Sequence, residues 1–418
     1  MILFLATALA APTAFVGGTL HPVSGPPVQA ALVVDGGRIV SIGAVPPGAV
    51  EVDVSGKHLV PGLVDTHSHV GGGRLHEHLG PVQPGVSAVD AIDPTHASLH
   101  RARAGGITTV NVMPGSGRLM GGQTAYLKLR LSPVVDDLLL CVGDPLAVPE
   151  DAPLRRGICG GMKMANGTNP QGDGDGPSSR MGAAFLQREA LRRGAERLDA
   201  VTPPERLRRW TPPEPDPEAD ALAQIVAGAR TVHFHTHRAD DVVTIARLVE
   251  EYPDVDVVLH HVSEAWKLVD LLAEAGLPCS LILVDAPGGK EEALEIRLET
   301  GGLLERAGVP VAFHTDDPIT DSRLFLRMGA LAVRGGMSPE GALAALTLAP
   351  ARMLGLQDRL GSLEVGKDAD VVVLSGVPFS VWTRVEQTWV DGMKVFDRAD
   401  PADRRHATGG EHATQEAL

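Results

Sequence analysis

The most informative stretch of the sequence is Lys57-His58-Leu59-Val60-Pro61-Gly62-Leu63-Val64-Asp65-Thr66-His67-Ser68-His69, an apolar run that ends on a His-x-His pair. Side chains two residues apart lie on the same face of an extended strand, so the imidazoles of His67 and His69 can converge on one point. Two neutral imidazoles supply half of the ligands of a typical zinc site. The pair therefore predicts a metal site at the end of a β-strand.

Further ligand-type side chains stand at the ends of later apolar runs. Because the ends of neighbouring parallel strands meet at one mouth of a barrel, we expect these side chains to converge with the first pair. The complete set of predicted metal ligands is His67, His69, Lys163, His235, His261 and Asp316.

Neighbouring ligand-type residues leave three choices open. Alternate residues of a strand share a face, so at most one or two of three histidines spaced two apart on one strand can reach a metal. Residues adjacent in sequence point to opposite faces, so only one of two such neighbours can face inward. The choices are His233, His235 or His237; His260 or His261; and Asp316 or Asp317.

The ligand types favour Zn²⁺, with Mn²⁺ or Fe²⁺ also compatible, because imidazole and carboxylate groups occur without cysteine. Lys163 as an ammonium has no lone pair, so it can bind a metal only if it is modified, for instance carboxylated by CO₂. A lysine at such a position more often pairs with a carboxylate. Whether the site holds one ion or two therefore depends on Lys163.

These residue types predict hydrolysis of an amide-like C–N bond through metal-activated hydroxide. A divalent cation with an open coordination position makes hydroxide available at neutral pH and polarises a carbonyl. Asp316 beside it can orient the water, take its proton and pass it to a leaving amine. We therefore assign Asp316 as the catalytic residue as well as a ligand.

Alternating apolar runs and helical patterns predict an α/β protein. Eight such units over about 300 residues suit a (β/α)₈ TIM-like barrel spanning residues 58–357, and a doubly wound sheet is the rival, although it would not bring five strand ends to one point. The expected strands are 58–64, 107–112, 137–142, 158–164, 231–235, 255–260, 278–284 and 309–314, with helices at 87–104, 182–198, 239–251, 263–275 and 338–348.

Both ends of the chain carry short alternating runs with hairpin-type turns such as Asp35-Gly36-Gly37. Neither end has enough strand for a stable sheet alone, so residues 12–57 and 358–397 are expected to form one composite β domain. Residues 398–418 are polar and unpatterned, which predicts a disordered tail.

Composition excludes several classes of partner. The net charge of −15 disfavours nucleic acid and an anionic membrane surface. We expect a small-molecule substrate and leave open a homo-oligomer. The cysteines are Cys141, Cys159 and Cys279, distant from one another and odd in number, and we expect buried thiols rather than disulfides.

The first 11 residues resemble the apolar part of a signal peptide that ends in an Ala-x-Ala cleavage site, although the positive segment before it is missing. The alternative is a first strand of the fold. We expect a remnant of a signal peptide and a periplasmic or secreted protein, with a cytoplasmic protein as the alternative.

Several motifs together resemble the metal-dependent amidohydrolase superfamily, and in particular its imidazolonepropionase-like and prolidase-like branch. The similarity runs from about residue 14 to 396. It is carried by Pro61–His69, Gly105–Val110, Pro114–Gln123, Lys163–Pro170, His235–Asp241, His261–Ala265, Thr315–Pro318 and Gly361–Asp370.

The resemblance implies a role for each matched position. His67 and His69 would bind a buried metal, Lys163 would be a carboxylated bridge between two metals, and His235 and His261 would ligate from the fifth and sixth strands. Asp316 would be ligand and general base. His237 and Arg238 would bind substrate or support His235, and the composite domain would be a β-sandwich.

Two other functions remain open at this point. A deaminase of a heterocyclic ring would use the same site, and a barrel that has lost catalysis would be a metal-binding protein only. The presence of all six ligand-type residues favours the enzyme, because a site that has lost catalysis has no physical need for all of them.

Overall fold

The structure is a computed structural model that describes residues 11–141, 158–172, 176–202, 211, 213–283 and 290–410. It is a mixed α/β fold. Within these residues, none of the helices combines the length and the apolar character needed to cross a membrane. The expected leader falls almost entirely outside the described residues, as do residues 411–418 of the expected tail.

The secondary structure alternates between short strands and helices. The strands are β1 (Thr13–Val16), β2 (Thr19–Leu20), β3 (Val28–Gln29), β4 (Ala31–Asp35), β5 (Arg38–Gly43), β6 (Val50–Asp53), β7 (His58–Pro61), β8 (Leu63–Ser68), β9 (Ile107–Val112), β10 (Met120–Gln123), β11 (Ala125–Lys128), β12 (Met162–Ala165), β13 (Val232–Thr236), β14 (Val257–His261), β15 (Cys279–Leu281), β16 (Val311–Phe313), β17 (Val371–Leu374), β18 (Val385–Val390) and β19 (Met393–Asp397). The helices are α1 (Ala97–Ala104), α2 (Arg180–Val201), α3 (Pro217–Val226), α4 (Ala239–Glu251), α5 (Val269–Glu274), α6 (Thr300–Arg306), α7 (Phe325–Arg334), α8 (Pro339–Ala344), α9 (Leu348–Met353) and α10 (Pro401–Thr408).

The central strands form two sheets. One has the order β10-β12-β13-β14-β15-β16, in which β12 to β16 run parallel, and the other has the order β11-β9-β8. Helices connect several of the parallel strands, as α4 connects β13 to β14, which is the usual crossover of a parallel sheet. Among the described residues, strand pairing does not by itself close these sheets into a ring.

The terminal strands form two further sheets that lie in contact. The order β5-β4-β1-β6 uses the N-terminal segment, whereas β19-β18-β17-β7-β2-β3 combines strands from both ends of the chain. Both sheets contribute to one apolar cluster, in which Phe15 meets Trp389 edge-on with ring centroids 5.0 Å apart. The expectation that the two ends would pair is consistent with this shared sheet.

The expected strand 58–64 is divided between two sheets. Residues of β7 pair with β17 in the terminal sheet, and β8 begins the central one. Pro61 has no amide hydrogen to donate, and a Cβ on Gly62 would lie 2.0 Å from Thr108 Oγ1, so the chain changes sheets at a position that only glycine fits.

A buried lysine joins the terminal and central parts. Lys128, at the end of β11, forms ion pairs with Asp368, Asp370 and Asp391, and the Lys128–Asp370 distance is 3.2 Å. Lys128 itself is fully buried. The Gly-Lys-Asp-Ala-Asp segment near residue 368 thus contributes carboxylates that neutralise a cation from the central sheet.

Three expectations about secondary structure are wrong. Residues 137–141, the described part of the strand expected at 137–142, supply no strand, since Val135–Leu138 is a 3₁₀ helix, and the additional strands β10 and β11 come from residues 120–128 instead. The helix expected over 87–104 begins only at Ala97, because Pro94 cannot continue a helix from the preceding turn. Residues 401–408 form α10 rather than a disordered tail, and its His406 is buried against α1.

The expectation of unpaired cysteines is also wrong. Cys141 and Cys159 form a disulfide, and Cys279 is a buried thiol. The two partners are 18 residues apart, a spacing that belongs to no compact cysteine motif, so only the fold shows that they meet.

Candidate metal centre

The first group of ligand-type side chains lies where β8 and β16 end. His67 Nε2 is 3.3 Å and His69 Nε2 is 3.0 Å from the same oxygen, Asp316 Oδ1. Asp316 has a backbone φ of +50°, a conformation uncommon for a non-glycine residue, and its amide donates to the His67 carbonyl oxygen over 2.8 Å. This turn brings the carboxylate back over the two imidazoles.

A second group lies across the same mouth. The ligand atoms of His235, His237 and His261 are within 4.8 Å of one another, as are those of the first group. His237 Nδ1 is 2.7 Å from Ser263 Oγ, which leaves Nε2 to face the group. Of His233, His235 and His237, the last two therefore converge with His261.

Both members of the adjacent pair His260 and His261 face inward, contrary to the expectation that only one would. The ring centroid of His67 is 5.0 Å from that of His260 and 4.9 Å from that of His261. The strand ends with His261 at φ +69°, and this reversal turns its imidazole to the interior as well.

Lys163 stands between the two groups and is fully buried. Its Nζ is 3.2 Å from His67 Nε2 and 3.1 Å from Met113 Sδ. Burial lowers the pKa of this amine to about 7. A substantial fraction of the amine is therefore neutral near neutral pH, unlike an exposed lysine.

The donor set fits a divalent cation. His261 Nε2 is buried without a hydrogen-bond partner among the described residues, and such an unpaired nitrogen is costly in a folded protein. Burial first, and then neighbouring cationic groups, lower the pKa values of His67, His235 and His261 well below the usual value of histidine. The imidazoles are therefore neutral, the form that binds metals.

The charge of Asp316 complements these imidazoles. Burial acts to raise its pKa, but the hydrogen bond with His69 and the neighbouring cationic groups outweigh it, so the pKa lies below the ordinary carboxyl value. Asp317, the neighbouring candidate, instead accepts hydrogen bonds from Ser322 N (2.9 Å) and Ser322 Oγ (2.7 Å). Asp317 fixes the following turn, and Asp316 is the member of the pair that lies beside His67 and His69.

A second layer of polar residues beneath the mouth was not identified from the sequence. His314 Nε2 is 3.1 Å from His261 Nδ1, and Ser280 Oγ is 2.9 Å from His314 Nδ1. On the other side, His233 lies 3.0 Å from His260 and 2.9 Å from the Tyr126 hydroxyl. These contacts orient the inner histidines, and the period-two spacing of His233 and His235 was the one indication of them in the sequence.

Asp65 is another buried group that was not predicted as part of the site. Its carboxylate accepts hydrogen bonds from Thr315 N (3.1 Å), Thr315 Oγ1 (2.5 Å) and His67 N (3.2 Å). Burial raises its pKa to about 7. Asp65 thereby connects the ends of β8 and β16, the two strands that carry the first group.

A cavity of about 440 Å³ opens over both groups. Its polar lining includes His69, His76, Ser116, Asn169, His235, His237, His261, Lys290 and Asp316, and its apolar lining includes Ile282, Ala293, Ile296, Pro318 and Ile319. The volume is within the usual range for small-molecule sites.

Arg238, expected to bind substrate, does not line this cavity. Its side chain is about half exposed, and its guanidinium donates two 2.9 Å hydrogen bonds to Asp240. Arg238 is the residue that precedes α4, so the start of the helix directs it away from the mouth. His237, the other expected substrate residue, does line the cavity.

Comparison with known proteins agrees with the resemblance of the motifs. The sequence profile of the Amidohydrolase family matches residues 58–395, and the chain therefore belongs to this family of hydrolases. Membership of the superfamily, predicted from the motifs, is confirmed.

Two curated relatives align along most of the chain. An amidohydrolase, tasK, from Hapsidospora irregularis is 27% identical over 393 residues, which cover 87% of this chain but only 39% of that protein's length. An imidazolonepropionase from Thermoplasma acidophilum is 26% identical over 383 residues, which cover 82% of each protein.

Solved structures share the fold. An amidohydrolase from Thermotoga maritima MSB8 superimposes with a TM-score of 0.80 at 32% identity, covering 92% of this chain and 100% of that one. An Xaa-Pro dipeptidase with bound methionine in its active site has a TM-score of 0.56 at 18% identity, covering 92% and 99%. The second likeness concerns the fold alone.

Proposed function

We propose that this protein is a metal-dependent amidohydrolase that hydrolyses a C–N bond of a small amide, peptide or cyclic amide. One observation carries the proposal. Two groups of ligand atoms, one with His69 and Asp316 and one with His235 and His261, border the same cavity. Membership of the Amidohydrolase family supports the same chemistry.

The residues on each side of Lys163 would hold the metal. His67, His69 and Asp316 would bind one ion, and His235 and His261 would bind a second. When bound, a divalent cation of this kind, most simply Zn²⁺, lowers the pKa of water and polarises a carbonyl group. The absence of a cysteine from both groups agrees with Zn²⁺ and leaves Mn²⁺ and Fe²⁺ as outcomes of a metal analysis.

We further propose that Lys163 is carboxylated. The neutral amine would attack CO₂, forming an N–C bond and releasing one proton, so that an anionic carbamate replaces the neutral amine. Two features support this change. The amine is buried among imidazoles, and its lowered pKa supplies the neutral form that reacts. A carbamate would offer anionic oxygen ligands, whereas an ammonium would repel cations.

Asp316 would act as the general base. It is ionised at neutral pH because its pKa is low, and its Oδ1 lies at the edge of the cavity beside His69. From that position Asp316 can accept a proton from the attacking water and return it to the leaving amine. The inner histidines would hold His261 and His67 in place rather than transfer protons.

We propose that the two central sheets close into a (β/α)₈ barrel over residues 58–357. The Asp316 N–His67 O hydrogen bond and the Thr315–Asp65 contacts join β16 to β8, while Tyr126 N donates to Cys159 O over 2.8 Å beside β12. The terminal sheets, with their shared apolar cluster, would be the composite β-sandwich.

A hydrolysis screen tests the function. The purified protein, with its metal content measured, is assayed against dipeptides (including Xaa-Pro), N-acyl amino acids and lactams, and ammonia release is followed with heterocyclic amines. We expect hydrolysis that is lost with chelator and restored by Zn²⁺. Ammonia release alone would identify a deaminase, and bound metal without any turnover would favour a binding protein.

Three further expectations remain proposals. The Cys141–Cys159 disulfide supports a periplasmic or secreted location, because disulfides persist mainly in oxidising compartments, and cell fractionation with N-terminal sequencing of the mature protein tests it against the cytoplasmic alternative. The small cavity supports a small-molecule substrate rather than nucleic acid or a membrane. A homo-oligomer is tested by light scattering.

A further inference from the structure

The cavity carries one lysine that none of the metal chemistry uses. Among the described residues that line it, Lys290 is the one lysine or arginine. It directly follows residues outside the described part of the chain and precedes the 3₁₀ helix Glu291–Ala293. Its Nζ is 3.3 Å from His235 Nε2, so the ammonium lies at the edge of the second ligand group.

The neighbouring carboxylate leaves this ammonium free to bind a second anion. Glu292 Oε2 is 3.3 Å from Lys290 Nζ, but Glu292 also accepts hydrogen bonds from Thr168 N (3.0 Å) and Thr168 Oγ1 (2.8 Å) and forms an ion pair with Arg180. Glu292 is buried, whereas the Lys290 side chain is about a quarter exposed. An ammonium has three donors, so Lys290 can bind Glu292 and a ligand together.

The remaining wall of the cavity is aliphatic. Ile282, Ile296 and Ile319 line it together with Ala293 and Pro318. An apolar group of a substrate would lose its contact with water on this wall, which favours binding. A cation beside an apolar wall matches a ligand that carries both a carboxylate and an aliphatic side chain.

We propose that Lys290 is the specificity-determining residue of this site and binds a carboxylate attached next to the scissile C–N bond, as in an N-acyl amino acid with an aliphatic side chain. This inference rests on the proposed hydrolase function. In such a compound the carboxylate lies about one residue repeat, roughly 3.5 Å, from the carbonyl under attack. Lys290 Nζ lies 3.3 Å from His235 Nε2, so a ligand of that size can contact both Lys290 and the second ligand group. Lactams and heterocycles without a carboxylate would lack this contact.

Two pairs of probes separate the contribution of the carboxylate. N-acetyl-L-leucine and N-acetyl-isopentylamine both release acetate and differ only in the carboxylate, which gives a kinetic comparison. L-leucine and isopentylamine differ in the same way and give a binding comparison by calorimetry on the Zn²⁺-loaded protein. The binding comparison does not require turnover.

The test uses Lys290→Met, which removes the charge and keeps the length, and Lys290→Arg, which keeps the charge. Lys394→Met, in the terminal sheet, is the matched control. We expect Lys290→Met to weaken L-leucine binding and to raise KM for N-acetyl-L-leucine at least tenfold, the usual effect of losing a charged hydrogen bond. Isopentylamine binding should change less than twofold. Lys290→Arg should keep most of the discrimination, and Lys394→Met all of it.

Each negative result has a distinct meaning. If the wild-type protein binds L-leucine and isopentylamine equally, or if Lys290→Met discriminates as well as the wild type, the inference about Lys290 is wrong. If the protein discriminates through Lys290 but hydrolyses nothing in the screen, the hydrolase function fails and the carboxylate site stands. Metal content and thermal unfolding of each variant show whether the fold and the ligand groups are intact.

Discussion

The backbone amide of Asp316 donates a 2.8 Å hydrogen bond to the backbone carbonyl oxygen of His67. This contact brings together the two strands that carry the first ligand group, and it fixes the unusual backbone of Asp316 whose carboxylate lies 3.3 Å from the His67 imidazole. The position of Asp316, the proposed general base, therefore depends on the backbone at both residues and not only on the side chains.

Asp316→Asn should abolish hydrolysis while leaving the fold intact. The amide keeps the size of the carboxylate but cannot accept the proton from water, and loss of a general base usually lowers kcat about 10²–10⁴-fold. The measurement is kcat at saturating Zn²⁺ together with the metal content and the circular dichroism spectrum. Activity within threefold of the wild type would rule out Asp316 as the base.

Substitution of a proposed metal-ligating histidine should lower the metal content of the protein, in addition to any effect on its stability. His67→Ala removes the imidazole whose Nε2 faces Asp316, and His261→Ala removes a nitrogen that has no protein partner. We expect each variant to lose at least one equivalent of metal by elemental analysis. His78→Ala, an exposed histidine outside the cavity, is the control and should keep the full content. Unchanged stoichiometry in both ligand variants would contradict the proposed centre.

Arg238→Gln should have little effect on KM or kcat. The guanidinium is bound to Asp240 on the surface, so its loss removes an exposed ion pair worth about 0.2–1 kcal/mol of stability and no contact with the cavity. Steady-state kinetics with the best substrate from the screen check this. A tenfold rise in KM would restore Arg238 to the substrate site, where the motif resemblance placed it.

The strand-end histidines could be predicted because their pattern is local. The spacing of His67 and His69, like that of His235 and His237, follows from the two-residue period of a strand. The positive φ of His261 could not be predicted, since it depends on how the strand end packs. For that reason the rule that adjacent residues face opposite ways failed at His260 and His261.

Non-local partners explain the other differences. Lys290 carries no motif, and its place beside His235 exists only once two distant segments meet. The Cys141–Cys159 bond has the same cause. For Arg238 the sequence suggested a contact that the structure lacks. Its position directly after His237 suggested a shared role, whereas the start of α4 turns it outward.

Lys128→Met should destabilise the protein severely. The substitution keeps the volume but leaves buried carboxylates of Asp368 and Asp370 without their cation, and breaking a buried ion pair usually costs about 3–5 kcal/mol. The free energy of unfolding by urea measures the effect. Lys394→Met, which removes an exposed i,i+3 pair, should cost about 0.5 kcal/mol or less. Equal losses of unfolding free energy in the two variants would show that the buried ion pairs of Lys128 stabilise the protein no more than the exposed pair of Lys394.

The contact between α1 and α10 should make stability depend on pH. The rings of His100 and His406 stack with centroids 4.7 Å apart, and burial first, then Arg103, lower the pKa of His100 to about 4. His100 therefore stays neutral in the folded protein when the unfolded chain, with a histidine pKa near 6.5, binds a proton. Its contribution to stability is complete above pH 6.5 and is lost as the pH falls toward 4.

His100→Gln should reduce this loss, because glutamine does not titrate. The measurement is the free energy of unfolding at pH 7.5 and pH 5.0 for the wild type, for His100→Gln and for His78→Gln, whose imidazole is exposed. We expect the drop between the two pH values to be smaller in His100→Gln than in the other two proteins. Since the remaining buried histidines titrate in all three, the difference between the drops isolates His100, and identical drops would show that the α1–α10 contact does not sense pH.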